Sequence, residues 1–198
     1  MAQDKKQRLM QSVERLFRDR RFDAVTLDEV ARKADVGKGT IYLYFSDKED
    51  LIFQTAVSGF DEMCRLLRQD AAEEGTFRER LLRACEDLSA FFQARRPLFR
   101  IILLEGERTG SGGVPGLRQR WRKRRKTLTE AVAAIIAQGM ETGQLRSEMP
   151  ADMLAEYLLG MLRTRSWELE DRPPSQRTLA SVVDLFLKGA GRPAPPRQ

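Results

Sequence analysis

The sequence predicts an all-α protein, and three observations carry that prediction. Apolar residues recur at three- and four-residue spacing through nearly every segment. Two patterns, Thr26-Leu27-Asp28-Glu29 and Ser46-Asp47-Lys48-Glu49, have the S/T-x-x-E form that opens a helix. No stretch alternates apolar and polar residues in the manner of a half-buried strand. A chain of 198 residues has room for one large core or for a small domain joined to a second.

Leu9, Val13, Leu16 and Phe17 mark a first amphipathic helix over about 5–20. Thr26 and Glu29 then cap a short second helix reciprocally, with Val25 and Val30 as a hydrophobic staple, and Asp35 is placed to end it in the left-handed conformation. Lys38 to Phe45 form a further turn or two, apolar at Ile41 and Phe45 and decorated outward by Lys38, Thr40, Tyr42, Leu43 and Tyr44. The second capping box, at Ser46, opens a long helix from Asp47 to Asp70. Helical patterns follow at about 76–93, 97–105, 116–141, 151–167 and 174–189. Glycine and proline punctuate the remainder: the segment Gly106 to Gly116, with five glycines, is expected to be a mobile loop, and the tail 190–198 to be disordered.

The charge is unevenly spread. The net charge of +6 arises from +1 over residues 1–50, −3 over 51–94, +9 over 95–126 and −1 over 127–198. A nearly neutral N-terminal segment cannot hold phosphates by bulk charge, so any nucleic-acid reading requires individually placed donors. The chain has no histidine and two cysteines, Cys64 and Cys85, with no CxxC, which removes the usual zinc frameworks and His-based triads; no metal or cofactor is expected. The longest apolar stretch, Ala131 to Ala137, is too short to cross a bilayer, and no cleavable apolar leader is seen, so a cytoplasmic protein with no membrane partner is expected.

A capped short helix, a tight turn and a second short helix with polar and aromatic residues facing outward is the layout of a helix-turn-helix, in which the second helix enters the major groove. The run from Phe22 to Leu51, including Thr26-Leu27-Asp28-Glu29-Val30-Ala31, Lys38-Gly39-Thr40-Ile41-Tyr42-Leu43-Tyr44-Phe45 and Asp47-Lys48-Glu49-Asp50-Leu51, strongly resembles the N-terminal signature of TetR-type (TetR/AcrR) transcriptional regulators. The resemblance is dense over about 5–55 and loose beyond. It implies a three-helix DNA-binding domain at 1–47, a helical ligand-binding and dimerisation domain at 48–189, and DNA contacts from Thr26, Lys38, Gly39, Thr40, Tyr42, Leu43, Tyr44 and Lys48. Thr26 and Lys48 are expected on phosphates, Lys38 on a guanine edge and Leu43 on a thymine methyl. One departure is Asp35-Val36-Gly37, where such regulators commonly carry Gly-Val-Ser: a hydroxyl cap is lost at a cost of a few tenths of a kcal/mol, and a negative charge is added near DNA.

The resemblance further implies a homodimer. Met153, Leu154, Tyr157, Leu158, Met161 and Leu162, with Leu179, Val182, Val183 and Phe186, are apolar enough to pack inward and against a partner, with Gly160 allowing close helix approach. Phe60, Met63, Phe91, Phe92, Phe99, Trp121, Tyr157, Met161 and Trp167 are the candidates for a small-molecule pocket, although such stripes also serve as plain core. The basic run Arg118 to Lys126 wraps round its helix; it reads as a solvated face ion-paired to the acidic 51–94 segment, or as an anion site for the phosphates of an acyl-CoA. The expected function is a repressor released from a near-palindromic operator by a lipophilic or aromatic effector, with an acyl-CoA as the alternative effector. Outside that class stand an adaptor that does not read DNA and a small-molecule enzyme on the same helices. The enzyme leaves the N-terminal signature unexplained.

Overall fold

The computed structural model describes residues 2–70, 74–105 and 115–191, and every named element among them is helical. The tail beyond Gly191 and most of the glycine-rich loop, 106–114, lie outside the described residues. Packing divides the chain into two units that do not follow chain order: Met1–Gly59 with Ala94–Lys123, and Phe60–Gln93 with Arg124–Gln198.

In the first unit α1 (Ala2–Leu16) packs on α2 (Leu27–Lys33), α3 (Lys38–Tyr42) and α4 (Lys48–Ala56), and α7 (Arg96–Glu105) packs on α4. Its core is the apolar stripe the periodicity picks out: Leu9, Val13, Phe17, Val30, Ile41, Phe45, Leu51 and Ile52 are all buried. The first helix stops at Leu16, short of the expected 20, because Arg18-Asp19-Arg20-Arg21 offers nothing further to bury. Arg20 turns back instead, donating to the Ala24 carbonyl and the Glu29 carboxylate.

The capping chemistry settles where the helices begin. The Thr26 hydroxyl accepts from the Glu29 amide at 3.2 Å, as expected. The Glu29 carboxylate is held chiefly by Arg20, which keeps it below the usual glutamate range, and the Thr26 amide contributes less. The second box is shifted by one residue: Asp47, not Ser46, caps α4, accepting from the Asp50 amide at 2.6 Å, while Asp50 accepts from the Ser46 amide at 3.1 Å. A carboxylate at the N-cap gains from the helix dipole as well as from the hydrogen bond, which a hydroxyl does not. The long helix expected over 47–70 is broken at Val57–Gly59 into α4 and α5 (Phe60–Asp70), and Gly59 takes φ 76°, a region glycine reaches without steric cost.

The second unit contains α5, α6 (Phe77–Ala94), the later part of α8 (Pro115–Glu141), α9 (Ala151–Trp167) and α10 (Leu179–Ala190), the last two packed together. The helix expected from 174 begins instead at Leu179, after a 3-10 turn at Pro174–Gln176; the Thr178 hydroxyl caps it, accepting from the Ser181 amide at 3.0 Å. Close approach within the chain falls on Gly139. A Cβ on Gly139 would meet the Phe77 ring at 2.6 Å, whereas one on Gly160 would meet nothing within 4 Å. Ala190 and Gly191, assigned to the tail by sequence, are tied back: the Arg146 amide donates to the Ala190 carbonyl at 2.9 Å, and Leu145 and Gly191 form an isolated bridge. Cys64 and Cys85 are free and buried, and burial pushes their thiols up to about 11 and about 12.

Candidate nucleic-acid interface

The interface is built on the turn between α2 and α3. Asp35 adopts φ 54°, ending α2 in the left-handed conformation that aspartate tolerates better than most residues. Val36 donates back to the Ala31 carbonyl at 3.0 Å, and Gly37 then caps α3 with its backbone alone. Ile41 is fully buried against the three-helix core and fixes the rotation of α3. That single anchor turns Tyr42 and Leu43 outward, 54% and 77% exposed, an arrangement no apolar core explains. Gly39 faces open space, with nothing within 4 Å of an added Cβ, so another backbone can approach α3 there. Thr40 is half-buried beside it.

The two lysines differ. Lys38, the first residue of α3, lies on the exposed edge and pairs with Asp28 of α2 at 2.9 Å. Lys48 is drawn inward: its ammonium donates to the Phe22 carbonyl at 2.5 Å and sits 4.1 Å from the centre of the Phe22 ring. Burial lowers its pKa, with Asp23 and Glu49 acting in the other direction. Tyr44 is half-buried, its ring edge-on to Phe45 at 6.3 Å. Thr26 spends its acceptor on the α2 cap and keeps its hydroxyl proton for a partner. Of the eight residues singled out by sequence, Lys38, Gly39, Tyr42 and Leu43 therefore share an open surface at α3, whereas Lys48 is committed to the fold. Sequence reasoning missed Asp28; its position ten residues before Lys38, one short helix earlier, was the available signal.

Below this surface α4 is clamped by the basic run. Arg120 donates to Asp50 at 2.6 Å, and its guanidinium lies 4.1 Å from the centre of the Phe53 ring. Burial pushes the Asp50 carboxyl up, but Arg120, the Ser46 amide and Gln54 together outweigh it, and the group stays below its ordinary value. Arg124 pairs with Asp61, Arg125 with Glu156, and Lys126 with Glu130 at 4.0 Å. Among the described residues the acidic 51–94 segment supplies one partner of this run, Asp61; the others come from α4, from α8 itself and from α9.

The residues proposed for a pocket fall into separate groups. Phe60, Phe91 and Phe92 form an edge-to-face row in the second unit, with centroids 5.9 and 5.5 Å apart, and Met63 is buried in the same unit. Phe99 and Trp121 pair at 5.0 Å in the first unit. Tyr157 and Met161 line a groove of about 470 Å³ between α9 and α10, together with Val182 and Leu185. Trp167, at the end of α9, is half-buried. The dimer candidates divide as well: Leu154, Leu158, Leu162, Val183 and Phe186 are buried in the chain's own core, and Leu179 is half-buried. Met153 and Tyr157 are 46% and 58% exposed. Leu185, 65% exposed, was missed although it stands three residues after Val182.

A braced second helix presenting a cation, an aromatic and an aliphatic side chain on an open edge defines a helix-turn-helix DNA-binding protein. Residues 9–55 match the family described as "Bacterial regulatory proteins, tetR family". The chain is 22% identical over 190 residues to the uncharacterized HTH-type transcriptional regulator YhgD of Bacillus subtilis, covering 94% of this chain and 96% of that one. Its fold matches the FadR transcriptional regulator of Bacillus subtilis in complex with stearoyl-CoA, with TM-score 0.70 and 18% identity over 92% of this chain and 95% of that one. The SmeT–triclosan complex matches with TM-score 0.72 and 14% identity over 98% and 99% of the two chains. The N-terminal segment of the chain thus matches the TetR-type family model, and the curated relatives it resembles are named HTH-type transcriptional regulators. Among the described residues no helix is long and apolar enough to cross a membrane.

Proposed function

We propose that the protein is a dimeric repressor that reads a near-palindromic operator through Lys38, Gly39, Thr40, Tyr42 and Leu43, and that a lipophilic effector releases it. The observation that carries this reading is the outward placement of Tyr42 and Leu43 on a helix whose only buried anchor is Ile41. In this reading residues 1–47 do the DNA reading and 48–189 bind the effector and the second copy. The exposed apolar side chains Met153, Tyr157 and Leu185 on α9 and α10 support a two-fold contact between copies, which a pair of operator half-sites requires. An effector that favours the released conformation by about 1–3 kcal/mol weakens operator binding by about 5- to 150-fold.

Two solved relatives of the same fold hold lipophilic compounds, stearoyl-CoA in one and triclosan in the other, which supports an effector of that class here. The acyl-CoA reading is favoured by the first of these. Its phosphates would meet Arg122 and Lys123, two exposed cations of the basic run, since Arg120, Arg124, Arg125 and Lys126 already hold carboxylates.

The test is selection of bound duplexes from a random DNA pool, followed by titration of the winning duplex. Enrichment of a near-palindrome, loss of its binding in the Lys38→Ala, Tyr42→Ala double variant, and two chains per duplex in sedimentation are the expected results. Absence of enrichment overturns the regulator mechanism proposed here. Release by a long-chain acyl-CoA but not by free coenzyme A or a planar aromatic compound selects the acyl-CoA reading.

A further inference from the structure

Lys38 has an unusual situation for a reading side chain. It is the first residue of α3, where its charge opposes the helix dipole, and its ammonium donates to Asp28 Oδ2 at 3.0 Å and lies 2.9 Å from Oδ1 of the same carboxylate. Asp28 in turn stands in the first turn of α2, where the dipole favours a carboxylate. The two side chains are 55% and 64% exposed, so the pair is bathed in water and contributes little to the fold. It nonetheless neutralises the one cation on α3. The hydrogen bond that Lys38 donates to Asp28, then the charge of that carboxylate, raise the Lys38 pKa, so the lysine stays protonated while paired.

We propose that Asp28 is a specificity-determining residue: its carboxylate occupies Lys38 until a duplex presents a base edge with two acceptors in the same place, and so keeps Lys38 off the phosphates of other DNA. The inference rests on the operator-reading function proposed above. A guanine edge, with O6 and N7, offers the two acceptors that the carboxylate offers, and exchange of one for the other is close to even in hydrogen bonds. A phosphate in a non-matching duplex competes less well, because Asp28 stays beside it and repels it. The nearly neutral charge of residues 1–50, +1 in all, removes the non-specific attraction that would mask this exchange.

Anisotropy titrations of the selected duplex and of a scrambled duplex, over a series of salt concentrations, test the proposal on the full-length chain. Asp28→Asn is expected to tighten the scrambled duplex about three- to tenfold, to steepen its salt dependence by about one counterion, and to lower the ratio of specific to non-specific affinity correspondingly. Asp28→Glu, which keeps the charge, is expected to stay within about twofold of the parent chain. In a Lys38→Gln background the effect of Asp28→Asn on the scrambled duplex should shrink to less than about twofold. The proposal is overturned if Asp28→Asn weakens both duplexes in parallel, which would make Asp28 a mere brace for α3, or if the ratio is unchanged. It is also overturned if the tightening persists without Lys38. A parent chain that enriches no duplex overturns the operator reading itself, and is told apart from these outcomes before any variant is made.

Discussion

The helix α3 carries one basic residue in five, and the segment from Arg118 to Lys126 carries seven in nine. By composition the second is the natural place to seek DNA contacts. The order proposed above is the reverse. Arg120, Arg124, Arg125 and Lys126 each have a carboxylate partner within the chain, so most of the field of that run is spent internally. The α3 surface has little charge but leaves Tyr42 and Leu43 in water with no core to receive them. Charge density counts toward a phosphate partner after the internal acids have been subtracted; exposed apolar side chains on a rigidly anchored helix need no such subtraction.

The contrast can be broken from either side. Leu43→Asp places a carboxylate on the open face of α3 and should reduce operator affinity by about a hundredfold or more, with the melting temperature unchanged within about 2 °C, because Leu43 contributes nothing to the core. Titration of the selected duplex with a parallel thermal melt reads both quantities. Arg120→Met removes a partner of the largely buried Asp50 and should destabilise the chain by about 1–2 kcal/mol, a value reduced for the part-exposed guanidinium. The sign of its pH dependence follows from Asp50. A carboxyl held below its ordinary value of 3.8 stabilises the fold above that pH, and this contribution is lost as the pH falls through and below it. Urea unfolding at pH 7 and near pH 3 should therefore show a gap between parent and variant that narrows on acidification.

A smaller effect is expected at Gly39. Gly39→Ala meets no neighbour and should leave the melt unchanged or slightly raised, while lowering operator affinity about fivefold through the methyl group held against DNA. An unchanged affinity would mean that no backbone approaches α3 there. Smallest of all, Arg122→Gln with Lys123→Gln on α8 should alter operator affinity less than about threefold; a large loss would make the basic run a DNA contact and erase the contrast.

Most of the fold was legible because periodicity and caps are local signals. Leu9, Val13 and Phe17, the Thr26 cap, Asp35 and the bounds of α9 all follow from residues within a turn of one another. The misreadings required a choice between local options. Ser46 and Asp47 are both competent caps, and only the pairing of Asp50 with the Ser46 amide and Arg120, seventy residues on, shows which is used. The break at Gly59 was hidden because apolar spacing continues across it, from Ala56 to Phe60. The open face of α3 was legible through its outward residues, but the place of Lys48 was not: nothing in the sequence says that its ammonium ends on the Phe22 carbonyl. A lone cation cannot be assigned to solvent, phosphate or backbone without its surroundings.

The two thiols give the molecule an experimental handle. With burial holding Cys64 near 11 and Cys85 near 12, only about one part in 10⁴ or fewer is thiolate at neutral pH, and both are shut away from reagents. A cysteine introduced at position 43, where the native side chain is 77% exposed, would outcompete both for a maleimide dye. A fluorophore can thus be attached at the end of α3 without first removing the native cysteines.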